Sequence, residues 1–183
     1  MLRSCLALLT IAAASPLAAT PPPNAQIDYP TFERLTRDVG AYRRTRLIDW
    51  QAFLAAASDP DVLILDARSE RQFAAGHLAG AVNVPLPEFS ADRLAEVIGR
   101  PDRPILIYCN NNFSNDRPPV RLKSGPVALN IPTFIHLVAY GYRNIRELND
   151  VMDIDDPRLP WVRGASTAAV NTRSSAPPRS EQN

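Results

Sequence analysis

The chain has 183 residues, enough for one domain with appendages, and its 20 basic and 19 acidic side chains nearly cancel. That balance argues against nucleic acid or a strongly acidic surface as partner. Cys5, Cys109, His77 and His136 show no zinc-type spacing, so neither a catalytic metal nor any other cofactor is expected.

The first nineteen residues have the pattern of an export signal. Arg3 supplies the charged start, Cys5 to Ala14 the apolar stretch, and Leu17-Ala18-Ala19 a small-residue cleavage site. The apolar run is too short to span a bilayer, so stable membrane insertion is not expected and the periplasm is the expected location. A buried N-terminal helix is the competing reading, and the break Thr20-Pro21-Pro22-Pro23 opposes it. Cleavage would remove Cys5 and leave Cys109 as one unpaired thiol in an oxidising compartment.

Residues 20–46 read as a linker with a short helical extension. Pro21 to Gln26 is stiff and polar, and Pro30 to Val39 suits an amphipathic helix with Phe32, Leu35 and Val39 on one side. The cluster Arg43-Arg44-Thr45-Arg46 reads as a solvated face. From Leu47 strand and helix patterns alternate. Leu47-Ile48 is a short strand, Asp49 an N-cap for a helix over Trp50 to Ala57, and Val62 to Leu65 a buried strand. Ser69 opens a capping box for a helix ending near Gly76. Ala81 to Val84 is strand-like, and Ser90 caps a helix to Ile98. Ile105 to Tyr108, apolar and bounded by Pro104 and a polar run, is a buried strand that delivers Cys109 at its carboxyl end. Open α/β sheets place their ligand crevices at that end. A long polar stretch follows to Leu129. Asn130 suits the cap of a helix with Pro132 in its first turn and Gly141 as its stop, and Arg143 to Leu148 is the last strand. Such alternation predicts an α/β fold, a parallel sheet covered by helices on both faces. Residues 163–183 lack periodicity and read as a disordered tail.

Several stretches resemble rhodanese-like domains. Leu63-Ile64-Leu65-Asp66-Ala67-Arg68 and Phe73 to Pro85 match the two N-terminal motifs of that family, and Ile105 to Cys109 its cysteine strand. Gly141 to Ile145, Leu148 and Pro160-Trp161 are similar to its closing strand and C-terminal segment. The likeness covers residues 47–162. It implies a central parallel sheet of about five strands and a cysteine that carries sulfane sulfur as a persulfide. One departure stands out: Asn110 to Leu129 separates Cys109 from the next helix, where the family usually has a loop of a few residues. Cys109 to Phe113 and Ala128 to Ile135 resemble an exported bacterial subgroup with an extended loop.

The expected site follows from thiol chemistry. A thiol reacts as thiolate, which cations and helix N-termini favour, so a pocket thiol of low pKa is expected at Cys109. Asn110, Asn111, Asn112 and Ser114 can bind an anion or merely shape a turn, and the residues leave both readings open. Arg117, Arg121 and Lys123 make the stretch cationic beside Cys109, which suits thiosulfate or another small sulfur anion. The resemblance gives Asp66 and Arg68 a bracing role. For His77 a structural hydrogen bond is expected rather than service as a base, and His136 reads as a partly buried helix residue.

The expected function is a sulfurtransferase: Cys109 takes sulfane sulfur from a donor and passes it to a thiol. Phosphatase relatives of the fold need an arginine six positions after the cysteine, and here that position is Asn115. The alternative is a non-catalytic exported module acting in redox sensing or in protein binding through the loop after Cys109.

Overall fold

The computed structural model describes residues Asn24–Gly164. The export signal, Cys5 and the tail beyond Gly164 lie outside the described residues. Helix α1 (Tyr29–Arg44) starts at Asp28, whose carboxylate accepts from the Thr31 N–H, and ends with Arg43 and Arg44 beside its negative pole. The expected stop near Val39 is corrected. Nothing fills the space around Gly40, and the helix runs on because Leu35, Val39 and Tyr42 pack onto the core. Tertiary contact outweighs the weak helix propensity of one glycine.

The alternation expected from Leu47 onward is present. Strand β1 (Leu47–Ile48) leads to α2 (Trp50–Ala57), capped by Asp49 through the Ala52 N–H. Strand β2 (Leu63–Asp66) is followed by α3 (Glu70–Ala75), capped by Ser69. Then come β3 (Gly76–Leu78), β4 (Ala81–Asn83), α4 (Ala91–Ile98) capped by Ser90, and β5 (Ile105–Tyr108). Helix α5 (Asn130–Ala139), β6 (Ile145–Leu148) and β7 (Trp161–Arg163) complete the described chain.

Five strands form one parallel sheet in the order β1-β6-β5-β2-β4, with β5 in the middle. Its register sets Leu63 against Ile105 and Asp66 against Tyr108 on one side, and Ile105 against Ile145 on the other. Side chains alternate across the sheet. Leu63, Leu65, Ile105 and Ile107 enter one core with Val39, Leu94 and Phe134. Ile64, Leu106 and Tyr108 enter a second core with Trp50, Phe53 and Phe113. Leu65 and Ile107 are fully buried, which stabilises the centre by ~1.5–3 kcal/mol for each such side chain.

Two features were not visible in the sequence pattern. The first is a small antiparallel sheet, β3 with β7, that pairs Gly76 with Arg163 and Leu78 with Trp161. Its partners lie far apart in the chain, so local periodicity carries no trace of it. Gly76 is needed there because a Cβ would fall 2.7 Å from the Trp161 Nε1. The second is the state of the insertion after Cys109. It is anchored rather than solvated: Phe113 and Val120 are buried in the second core, and Phe113 bridges to Met152.

Candidate active site

Strand β5 ends against α5, and Cys109 follows it in extended conformation. The residue is 1 % exposed yet forms part of the wall of a pocket of about 330 Å³. Its N–H donates to the Asn112 Oδ1 at 2.9 Å, which closes the tight turn Asn110–Asn112 directly after the strand. The backbone N–H groups of Asn130, Asn111 and Leu129, in that turn and at the start of α5, lie near enough to the sulfur to favour its charged form. The arrangement is a small nest of donors, able to hold a thiolate or the terminal sulfur of a persulfide.

Burial works against the nest. It pushes the Cys109 thiol above its ordinary value; the Asn130 and Asn111 amides pull it down, the Glu147 carboxylate pushes it up, and the balance remains upward. The expectation of a low-pKa thiol is corrected on this point. The cations meant to lower it are not at the pocket.

Arg117 reaches across to Asp155 in an exposed ion pair. Arg121 turns back to the Asp116 carbonyl and lines a surface groove with Arg71 and Pro119. Lys123 borders a different depression beside Arg68 and Leu129. The physical reason is the anchoring of Phe113 and Val120, which turns residues 113–117 along residues 152–155, away from the sulfur.

The asparagines that precede these cations staple the loop. Asn110 donates to the Arg121 carbonyl at 2.8 Å and accepts weakly from Arg68. Asn111 brackets Lys123, donating to its carbonyl and accepting from its N–H. Asn112 donates to the carbonyls of Leu148 and Asp150, at 2.8 and 3.1 Å, and so ties the loop to the end of β6. Ser114 bonds the Met152 carbonyl away from the pocket. Between anion binding and turn shaping, these four side chains are committed to shaping the loop. Asn130 differs from expectation as well. Leu129 occupies the cap position, and Asn130, buried in the first turn, donates from Nδ2 to the Asn112 Oδ1 at 3.1 Å. Its own Oδ1 has no partner among the described residues.

Asp66 and Arg68 form a buried pair under the neighbouring loop. Arg68 donates to both Asp66 oxygens and to the Gly76 carbonyl, and its guanidinium lies over the rings of Tyr108 and Trp161. Burial disfavours the charged guanidinium, but the Asp66 carboxylate overcomes it and holds the Arg68 pKa above its usual value. The Tyr108 hydroxyl donates to the Asp66 Oδ2 at 2.5 Å and accepts from the Leu78 N–H. His77 bonds the Phe73 carbonyl through Nδ1 and stacks on the Phe73 ring, and it does not line the Cys109 pocket. His136 is half-buried on α5, edge-on to Phe89.

Two charged pocket residues escaped the sequence reading. Arg43 on α1 makes a two-pronged ion pair with the Glu147 carboxylate, and both line the pocket with Cys109. Arg43 belongs to the cluster taken for a solvated face; Glu147 is 3 % exposed at the end of a strand. Glu147 alone offered a signal: alternation along Ile145–Leu148 turns Arg146 outward and sets Glu147 on the face of the buried Ile145. Among the described residues no group of three His, Cys, Asp or Glu side chains converges in a manner suited to a metal. No described helix is long and apolar enough to cross a membrane.

A parallel sheet that presents a cysteine in an amide nest at the carboxyl end of its central strand defines a class of small α/β domain. Residues 49–150 match the rhodanese-like domain model, more than half of the chain, and the protein belongs to that family. The HTH-type transcriptional regulator Rv0324 of Mycobacterium tuberculosis is 43 % identical over 53 residues, 29 % of this chain and 22 % of that protein. Protein YqhL of Bacillus subtilis is 35 % identical over 54 residues, 30 % of this chain and 40 % of that protein. The likeness therefore spans well under half of either relative. Among solved structures, the rhodanese-like domain of Alr3790 from Anabaena sp. aligns with 75 % of this chain and 90 % of its own at 17 % identity and TM-score 0.46. A rhodanese with anions from E. coli aligns with 56 % and 99 % at 22 % identity and TM-score 0.36.

Proposed function

We propose that the protein is a sulfurtransferase in which Cys109 carries sulfane sulfur as a persulfide. The observation that supports this most directly is the nest of three backbone N–H groups around the sulfur of a residue fixed at the end of β5. Because burial raises the thiol pKa, the resting state at neutral pH is the protonated thiol, and its proton must leave to solvent before attack. The thiolate then attacks the outer sulfur of a donor. A new S–S bond forms at Cys109, the donor's S–S bond breaks, and its electron pair leaves with the departing group, sulfite in the case of thiosulfate. The amides of Asn130, Asn111 and Leu129 hold the terminal sulfur of the resulting persulfide. An acceptor thiolate attacks that sulfur and carries it away, and Cys109 is released as thiolate.

Incubation with thiosulfate or glutathione persulfide should add one sulfur atom to Cys109, and cyanide or a reducing thiol should remove it. Cys109→Ser should abolish the gain and keep the fold. A wild-type protein left unmodified by both donors refutes the assignment.

The near-complete burial of Cys109 favours a second reading, a non-catalytic module whose loop after Cys109 binds a protein partner. It predicts that native Cys109 resists alkylation at every pH at which the fold survives. We further propose that residues 1–19 direct export to the periplasm. Intact mass of protein from the cell envelope tests this: a chain that retains Met1 to Ala19 refutes it.

A further inference from the structure

We propose that Arg43 receives the oxyanion end of the sulfur donor, and that Glu147 holds its guanidinium in place at the pocket wall. The inference deepens the sulfurtransferase reading and rests on it for the identity of what the anion carries. Among the described residues, Arg43 is the one cationic side chain that lines the pocket. Its Nε and Nη2 are taken by the two oxygens of Glu147, while Nη1 has no partner among the described residues. Exposure separates the two members of the pair: the Arg43 side chain is 29 % accessible and that of Glu147 is 4 %. The guanidinium is thus the more accessible member of the pair, and its remaining N–H donors are free at the pocket wall. A guanidinium held in this way by one edge keeps fixed, planar donors for a carboxylate or sulfonate oxygen. The helix that brings it, α1, precedes the 49–150 segment that matches the family. This N-terminal extension thus completes the site.

A pocket of about 330 Å³ has the volume of roughly ten waters, so it admits an organic persulfide bearing a carboxylate as well as thiosulfate with its sulfonate. Both sources share the same chemistry at Arg43, an oxyanion on the group that departs when the sulfur is transferred.

The test compares alkylation of Cys109 by iodoacetate, which is anionic, and by iodoacetamide, which is neutral, with the modified peptide read by mass. Both reagents consume the same thiolate, so thiol acidity cancels in the ratio of their rates. Arg43→Gln should lower the iodoacetate-to-iodoacetamide ratio by about tenfold, the scale set by one unit charge some ~7 Å away in a partly screened pocket. Glu147→Gln should raise it. The Arg43→Gln/Glu147→Gln double variant should fall between the two singles, and Arg43→Lys should stay within about threefold of wild type. If Arg43→Gln does not fold because it strands a buried carboxylate, the double variant set against Glu147→Gln still decides the matter, because those two differ only at Arg43 and the double variant should lie about tenfold lower. An identical ratio in Glu147→Gln and the double variant, with Arg43→Gln also unchanged from wild type if it folds, overturns the assignment. Sulfur loading of the double variant then separates the sources. A loss with thiosulfate alone identifies the sulfonate, and a loss with glutathione persulfide alone identifies the carboxylate. A wild type that takes sulfur from neither, with a ratio that still responds to Arg43, overturns the sulfurtransferase reading and leaves the anion site standing. A flat ratio in a protein that loads sulfur overturns the Arg43 inference alone.

Discussion

Asn112 is the residue on which the geometry around Cys109 depends most. It is 6 % exposed and makes four side-chain hydrogen bonds, accepting from the Cys109 N–H and the Asn130 amide and donating to the carbonyls of Leu148 and Asp150. Asn112→Ala removes all four and strands the Cys109 N–H and the Leu148 carbonyl away from water. At ~1 kcal/mol net for each bond, with some relief where the partly buried Asp150 carbonyl finds solvent, the loss comes to ~3 kcal/mol. With a urea slope of ~2 kcal/mol per molar, the unfolding midpoint should fall by ~1.5 M. The same change frees the turn at Asn110–Asn112, so the amide nest loosens and persulfide loading should fall together with stability. Asn112→Asp makes the comparison sharper. It keeps an acceptor for Cys109 but sets carboxylate oxygen against two carbonyl oxygens, and it should be at least as damaging as alanine. Urea unfolding followed by tryptophan fluorescence, on folded wild type and both variants, gives the midpoints. A shift below ~0.3 M for Asn112→Ala at unchanged slope would refute the claim that this side chain holds the loop.

Further outcomes follow from the same contacts. Arg68→Ala leaves the Asp66 carboxylate, 0 % exposed, without its buried partner, and should destabilise the fold by ~3–5 kcal/mol in urea unfolding. Tyr108→Phe removes the hydroxyl that joins Asp66 to the Leu78 N–H and should lose ~1–3 kcal/mol in the same assay, since that N–H is left unpaired. The thiolate is the reactive form and burial raises the thiol pKa, so alkylation of Cys109 should climb about tenfold per pH unit from pH 7 and level off only above the ordinary thiol value of 9.0; a plateau below neutrality contradicts the electrostatics described above. Replacing Arg117, Arg121 and Lys123 together by glutamine should leave that pH profile where it is, with loss of the exposed Arg117–Asp155 pair changing stability by less than ~1 kcal/mol.

Most of the framework can be read from the chain, and the reason is local. Asp49, Ser69 and Ser90 each cap the helix that follows them, and the apolar blocks at Leu63 and Ile105 become adjacent central strands. Cys109 is placed by the strand before it, which also needs no distant information. The surroundings of the thiol were less legible because they are made by partners remote in sequence. Arg43 and Glu147 are 104 residues apart, and nothing near either announces the other. The local pattern suits a helix over Pro30 to Val39 with a solvated charge run beyond it, whereas packing of α1 on α5 carries the helix to the pocket. The cations of the insertion were adjacent in sequence and misled for the converse reason. Two buried apolar side chains, Phe113 and Val120, decide where that loop goes, and neither looks exceptional in a polar stretch.

The loop after Cys109 is also buttoned along the segment that follows β6. Asn112 bonds Asp150, Ser114 bonds Met152, Asn115 bonds Asp153 and Ile154, and Arg117 pairs with Asp155. These fastenings come from chain made some forty residues later than the thiol they enclose. On a ribosome, Cys109 would therefore emerge and remain in an unfastened loop until residues 150–155 had followed it out. The thiol's protected, weakly acidic condition belongs only to the finished protein, and a chain clipped after β6 would lose it. Pulse alkylation of chains truncated at Asn149 and at Gly164 measures this directly, with fast labelling expected of the shorter chain and slow labelling of the longer.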